Sequence, residues 1–107
     1  MQMNKFLSNL GLAKRANKII FGFDEVVKCV DMGKAYTVFV TSDASSNTLR
    51  RIQNVIREYD IKVTTVPFTM YDIGDAAGRK PTAVFTVTDK GFDQLLHKSL
   101  HMNGGNA

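Results

Sequence analysis

The sequence predicts an α/β protein: a single-domain, three-layer α/β/α sandwich in which five helices flank a four-stranded sheet, mixed or largely parallel. Three observations carry that prediction. Segments with apolar residues at helical spacing alternate with short β-branched runs, a pattern that places helices on both faces of one sheet. Glycine, proline or a polar cluster punctuates most of the junctions. The chain has 107 residues, 44% of them hydrophobic, which suffices for one core. No repeat, linker or low-complexity stretch divides it, so one domain is expected over 1–102, with 103–107 as a flexible tail.

The first helix spans Asn4 to Asn17, with Asn4 as cap and Phe6, Leu10 and Ala13 on one side. Lys14, Arg15 and Lys18 fall together on a different side. Lys18 to Phe21 reads as a short strand ended by Gly22. Asp24 to Met32 is a second helix whose Val26, Val27 and Val30 face inward, and Gly33 supplies a left-handed stop. Tyr36 to Thr41 is a β-rich, buried strand. The polar turn Ser42 to Ser46 caps a third helix reaching about Tyr59, with Leu49, Ile52, Val55, Ile56 and Tyr59 at helical spacing. Ile61 to Val66 forms the third strand, ended by Pro67. Thr69 and Asp72 have capping-box spacing and open a fourth helix that stops at Gly78. Ala83 to Thr88 is the fourth strand; Asp89 to about His101 is the last helix, with Phe92, Leu95, Leu96 and Leu100 inward.

Fourteen Lys and Arg against ten Asp and Glu leave a net charge of +4, which favours anionic partners, nucleic acid first. No apolar run approaches the roughly 20 residues of a membrane span. Met1 to Phe6 holds one lysine with no apolar stretch behind it, so no signal peptide or membrane partner is expected and the cytoplasm is the expected compartment. The single cysteine, Cys29, sits among valines as a small buried apolar residue.

Signatures of catalysis are thin. The chain has no GxxxxGK[ST] loop, no GxGxxG after a strand and no GxSxG elbow. His97 and His101 stand four apart, which is metal-ligand spacing, yet both are expected to face solvent without a third ligand. Asp43 follows a strand, where an α/β sheet often binds ligands, but an Asp-Ala-Ser-Ser turn is also capping chemistry. No catalytic residue, metal, cofactor or small-molecule substrate is expected, so the chain reads as a non-enzyme.

The second helix is more informative. Gly22 permits a tight turn that leaves N–H donors free at the helix start. Asp24, Glu25 and Lys28 project from the side opposite the valines, and Lys14, Arg15 and Lys18 lie just upstream. Cations for phosphates thus accompany carboxylates able to accept from the exocyclic amines of bases. A solvated face with a Glu25–Lys28 ion pair is the competing reading. Phe23 has two roles open to it, stacking on a base or partial burial. Arg50 and Arg57 share a face of the third helix, with Arg51 a little aside.

Leu12-Ala13-Lys14-Arg15-Ala16 and Lys18-Ile19-Ile20-Phe21-Gly22-Phe23-Asp24-Glu25-Val26-Val27-Lys28 resemble the signature of the L-seven-Ae family of ribosomal proteins, whose core motif is G-x-N-E-x-x-K. Val40-Thr41-Ser42-Asp43-Ala44 and Ile73-Gly74-Asp75-Ala76-Ala77-Gly78 are similar to later family elements, the second to LGxAxG. The phrasing is nearest the bacterial YlxQ-type branch, and the likeness runs from Leu7 to about Leu96. The resemblance implies an α/β/α sandwich that recognises kink-turns in RNA. By position it implies RNA contacts at Gly22, Asp24, Glu25 and Lys28, and at the Arg79-Lys80-Pro81-Thr82 loop. Two departures are visible: Asp24 replaces the family's Asn, so it accepts but does not donate, and the loop carries Arg79 and Lys80 in place of apolar residues.

The expected RNA-binding set is therefore Lys14, Arg15, Lys18, Gly22, Phe23, Asp24, Glu25, Lys28, Arg79 and Lys80. The expected partner is structured RNA, a kink-turn or ribosomal RNA, with ribosomal proteins as further partners and ribosome association as the setting. The alternatives are a protein-interaction module or ribosome-assembly adaptor on the same fold, and an accessory domain of an RNA-modifying enzyme.

Overall fold

The computed structural model describes residues 4–105. Its order is α1 (Lys5–Arg15), β1 (Ile19–Phe21), α2 (Phe23–Asp31), β2 (Thr37–Val40), α3 (Ser46–Ile56), β3 (Lys62–Thr65), α4 (Met70–Ala77), β4 (Val84–Val87) and α5 (Lys90–Gly105). All nine elements are those the sequence predicts. Asn4 caps α1, its side chain accepting from the Phe6 and Leu7 amides at 2.8 and 3.3 Å. Ser45 caps α3, and Thr69 with Asp72 closes a reciprocal capping box on α4. α5 runs past the expected end at His101 into the stretch read as a tail, because extending an established helix adds one bond per residue fixed. Residues 1–3 and 106–107, the remainder of the expected domain start and tail, lie outside the described residues.

The strands lie in the order β1-β4-β2-β3. β2 and β3 are parallel, whereas β4 is antiparallel to both of its neighbours, β1 and β2. The sheet is thus mixed, and the largely parallel version of the expectation is corrected. The reason lies in how α4 connects β3 to β4. Thr65 and Val84 both register on Val40, so β3 ends and β4 begins at one edge of the sheet, and β4 must run the opposite way.

Two cores follow from strand alternation. Phe39, Phe85 and Val87 meet Phe6, Leu10 and Ala13 of α1, Ile73 of α4 and Leu96 of α5. Val38, Val40 and Val84 meet Val26 and Val30 of α2 and Ile52 and Ile56 of α3. An aromatic row crosses the first core: Phe68 stacks on Phe6, Phe6 meets Phe39 edge-on, Phe39 stacks on Phe85, and Phe85 touches Phe21, with centroids 5.1–6.1 Å apart.

Three inward assignments change. Val55 is exposed on the outer side of α3, and Tyr59 is exposed because the expected third helix ends before it, at Ile56; the Tyr59 hydroxyl instead donates to the Asp31 carboxylate at 2.6 Å. That bond raises the Tyr59 hydroxyl above its ordinary pKa. On α5, Leu95 is exposed while His97 turns inward, its ring 5.5 Å from Phe39 and its Nε2 3.0 Å from the Thr37 hydroxyl and 3.4 Å from Asp93. Buried Ser99 accepts from Asn9 at 2.6 Å and donates to the Leu95 carbonyl, so a polar link between α1 and α5 sets that rotation.

Among the described glycines, Gly74 has the least room for a side chain: a Cβ there would lie 2.9 Å from the carbonyl oxygens of both Arg79 and Lys80. Gly74→Ala should therefore destabilise the protein by about 1–3 kcal/mol, since backbone rather than a flexible side chain must move. An unchanged urea midpoint would contradict this.

Candidate nucleic-acid interface

β1, β2 and β3 run in the same direction, and the candidate site lies at the edge where they end, the usual place for ligands on an open α/β sheet. Gly22 follows β1 and caps α2 with φ 99° and ψ 146°, backbone that only glycine adopts readily. Its N–H donates to the Val84 carbonyl at 2.9 Å. That bond seats the first turn of α2 against the start of β4, directly beside the loop from Arg79 to Thr82. No side chain caps α2, so its first-turn donors face the surface with Asp24 and Glu25 among them.

Asp24, Glu25 and Lys28 are exposed on the outer side of α2, as predicted, while Val26, Cys29 and Val30 are buried and Val27 is half-buried. Burial pushes the Cys29 thiol up in pKa. Lys28 Nζ lies 3.7 Å from Glu25 Oε2, and both side chains are well exposed. An exposed pair of this kind contributes about 0.3–0.5 kcal/mol and leaves both groups available to a ligand.

Arg79 and Lys80 arrive from the other side. Gly78 ends α4 in the left-handed region, and the Arg79 amide donates back to the Gly74 carbonyl at 2.9 Å. The Arg79 guanidinium lies over the Phe21 ring, 4.6 Å from its centroid, at the end of the aromatic row and next to Gly22. Lys80 is exposed. Phe23 is half-buried against the second core, and Arg51 covers its ring at 4.4 Å. Of the two roles open to Phe23, partial burial is the one found. Arg51 was placed aside by helical spacing; its proximity depends on the packing of α3 against α2 and leaves no signal in the sequence. Arg50 and Arg57 donate to Asn47 and Asn54 on their own helix face. Asp43 accepts from the Met70 amide at 2.9 Å, capping α4 rather than its own α3.

Lys14, Arg15 and Lys18 are exposed, but the fold sets them apart from this cluster. The Lys18 carbonyl accepts from the Thr88 amide, at the end of β1 opposite Gly22, roughly 13 Å of extended chain away. Arg15 lines a groove of about 590 Å³ between α1 and α4 together with Asp72 and Asp75. One cluster thus forms from Gly22, Phe23, Asp24, Glu25, Lys28, Arg79 and Lys80, with Arg51 added.

A family model for the ribosomal protein L7Ae/L30e/S12e/Gadd45 family matches residues 4–97. The chain belongs to this family. Among its L7Ae-family relatives, the chain is 36% identical over 87 residues to RNA-binding protein YlxQ of Bacillus subtilis (strain 168), covering 81% of this chain and 86% of that one. It is 34% identical to RNA-binding protein YlxQ of Enterococcus faecium, covering 82% and 84%. A solved protein of unknown function from Bacillus halodurans C is 34% identical, with a TM-score of 0.83 over 92% of this chain and 98% of that one. The fold is also similar to that of the Giardia lamblia 15.5kD RNA binding protein, at 16% identity and a TM-score of 0.73, covering 96% of this chain and 88% of that one. Among the described residues, no helix is long and apolar enough to cross a membrane.

Gly22→Ala tests the turn. Its Cβ would meet no atom within 4 Å, so any loss comes from φ alone. A destabilisation of about 1–3 kcal/mol in chemical unfolding is expected, and a change below 0.5 kcal/mol (about the scatter of neutral surface substitutions) would show that the backbone relaxes freely.

Proposed function

We propose that this chain is a non-enzymatic RNA-binding protein that recognises structured RNA, of the kink-turn or ribosomal class, through the start of α2 and the Arg79–Lys80 loop. The observation that carries this reading is the Gly22–Val84 hydrogen bond, which sets carboxylates and helix-start N–H donors beside two loop cations. Asp24 and Glu25 already offset the positive end of α2, so the first turn suits the amino edges of purines better than a bare phosphate. Lys28, Arg79 and Lys80 then neutralise the flanking phosphates. Membership of the family supports the reading, as do relatives named for RNA binding.

Lys18, Lys14 and Arg15 serve as outlying phosphate contacts in this proposal, reached by an RNA that spans the length of β1. Asp24 accepts from base amines where an Asn could also donate, so its base contacts are limited to amino groups, and charge-driven contact comes from the Arg79–Lys80 loop instead. The setting is the cytoplasm, on ribosomal RNA and among ribosomal proteins.

Titration of a labelled kink-turn RNA, with a hairpin lacking the sheared G·A pairs as control, tests this. Glu25→Ala should weaken kink-turn binding by about 1–3 kcal/mol with little effect on the control. Lys28→Ala should weaken both and lower the slope of log affinity against log salt by about one. Glu25→Ala without effect on RNA would leave the adaptor function on the same fold, and salt-independent affinity would exclude the phosphate contacts.

A further inference from the structure

Two adjoining depressions lie along α2 and β1, away from the Arg79 loop. The first, about 330 Å³, is lined by Ile20, Glu25, Lys28, Met32, Lys34 and Thr88 among others. The second, about 450 Å³, continues from Lys34 and Thr88 to Tyr36. They form one groove that starts at two residues of the candidate interface, Glu25 and Lys28, and ends at an exposed aromatic ring.

Its chemistry is that of a nucleic-acid track. Lys28 and Lys34 stand along it, and Lys18 is added at the far end, where its carbonyl holds the Thr88 amide at 2.8 Å. Lys34 is fixed there because Gly33 ends α2 at φ 74° and the Lys34 amide donates back to the Cys29 carbonyl at 3.1 Å. Tyr36 is 47% exposed and Met32 64%, which leaves a ring and a thioether open to a ligand along the groove. The Tyr36 backbone is anchored through its amide to the Val87 carbonyl at 3.0 Å, so the ring is presented from a fixed point. Cations along a groove with an aromatic ring at its end are how single strands are held without sequence readout.

We propose that this groove binds a single-stranded RNA segment leaving the structured element, with Lys28, Lys34 and Lys18 on its phosphates and Tyr36 stacking on a base. The nine residues of α2 span roughly 13 Å, room for about two to four nucleotides. The groove joins Lys18 to the Gly22 cluster, which the fold otherwise holds apart. The inference rests on the function proposed above, and its test separates the two.

The full chain is titrated with a blunt kink-turn stem, the same stem with a single-stranded extension of six nucleotides at either end, and the free hexanucleotide. One extended stem should bind about tenfold more tightly than the blunt stem, with a salt slope steeper by about 0.7 per added phosphate contact. Tyr36→Ala and, independently, Lys34→Ala should remove most of that gain and leave blunt-stem affinity unchanged; Tyr36→Phe should keep it. Equal affinity for blunt and extended stems, or a gain that survives both substitutions, overturns the groove while the function above stands. If the hexanucleotide binds through Tyr36 and the stem does not, the groove stands and structured recognition falls. If neither RNA binds, both fall.

Discussion

The placement of β4 is the constraint on which the rest of the structure depends. This strand has no exposed residue, pairs on both edges and runs against its two neighbours. Its start therefore lies where β1 and β2 end, and the loop that delivers it must pass that same edge. The Gly22–Val84 bond, the position of Arg79 over Phe21 and the closeness of the α2 start to Lys80 are consequences of that one pairing. The aromatic row transmits the same constraint laterally. Phe85 on β4 touches both Phe39 and Phe21, so the ring under the Arg79 guanidinium is held by the centre of the core. A cation over a half-buried ring contributes about 0.5–1 kcal/mol, enough to orient a loop though too little to hold it alone.

A second regularity concerns the helix ends. α1, α2 and α4 stop in the same way, at a left-handed residue: Asn17 with φ 61°, Gly33 and Gly78. In each case the next amide donates back to a carbonyl five residues earlier, and that next residue is a cation: Lys18, Lys34 or Arg79. The motif satisfies the carbonyls at the helix end, and the positive charge complements the negative end of the helix dipole. The fold thus places three cations on rigid backbone rather than on loop tips. Two of them flank Thr88 at one end of β1 and the third flanks Gly22 at the other.

Much of this was legible in single residues. Asn4, Thr69 with Asp72, Gly33 and Gly78 act within three or four positions of themselves, and each does what its local chemistry predicts. The candidate site was legible where it is contiguous: Gly22, Asp24, Glu25 and Lys28 occupy the cap and the first two turns of α2, so helical spacing alone puts them together. The inward face of α5 was not legible. Leu95 and His97 exchange places because the Asn9–Ser99 link and the Thr37 hydroxyl turn the helix, and those partners lie 90 and 60 residues away. Arg51 reaches Phe23 only because α3 packs beside α2, and Arg15 turns toward α4 rather than toward the edge that carries Gly22.

By itself the sequence determined the nine elements, their order, the caps at Asn4 and Thr69, the stops at Gly33 and Gly78, and the contiguous part of the site. Each of these rests on backbone dihedrals and on side chains a few residues apart. The direction of β4, the exclusion of Lys14, Arg15 and Lys18 from the Gly22 cluster, and the groove from Glu25 to Tyr36 were decided only in three dimensions. A strand carries the same pattern of buried residues whichever way it runs, so nothing in Val84–Val87 encodes its direction. Direction comes from where the connection through α4 returns the chain, at the same edge where β3 ends. That edge, in turn, decides which charges become neighbours.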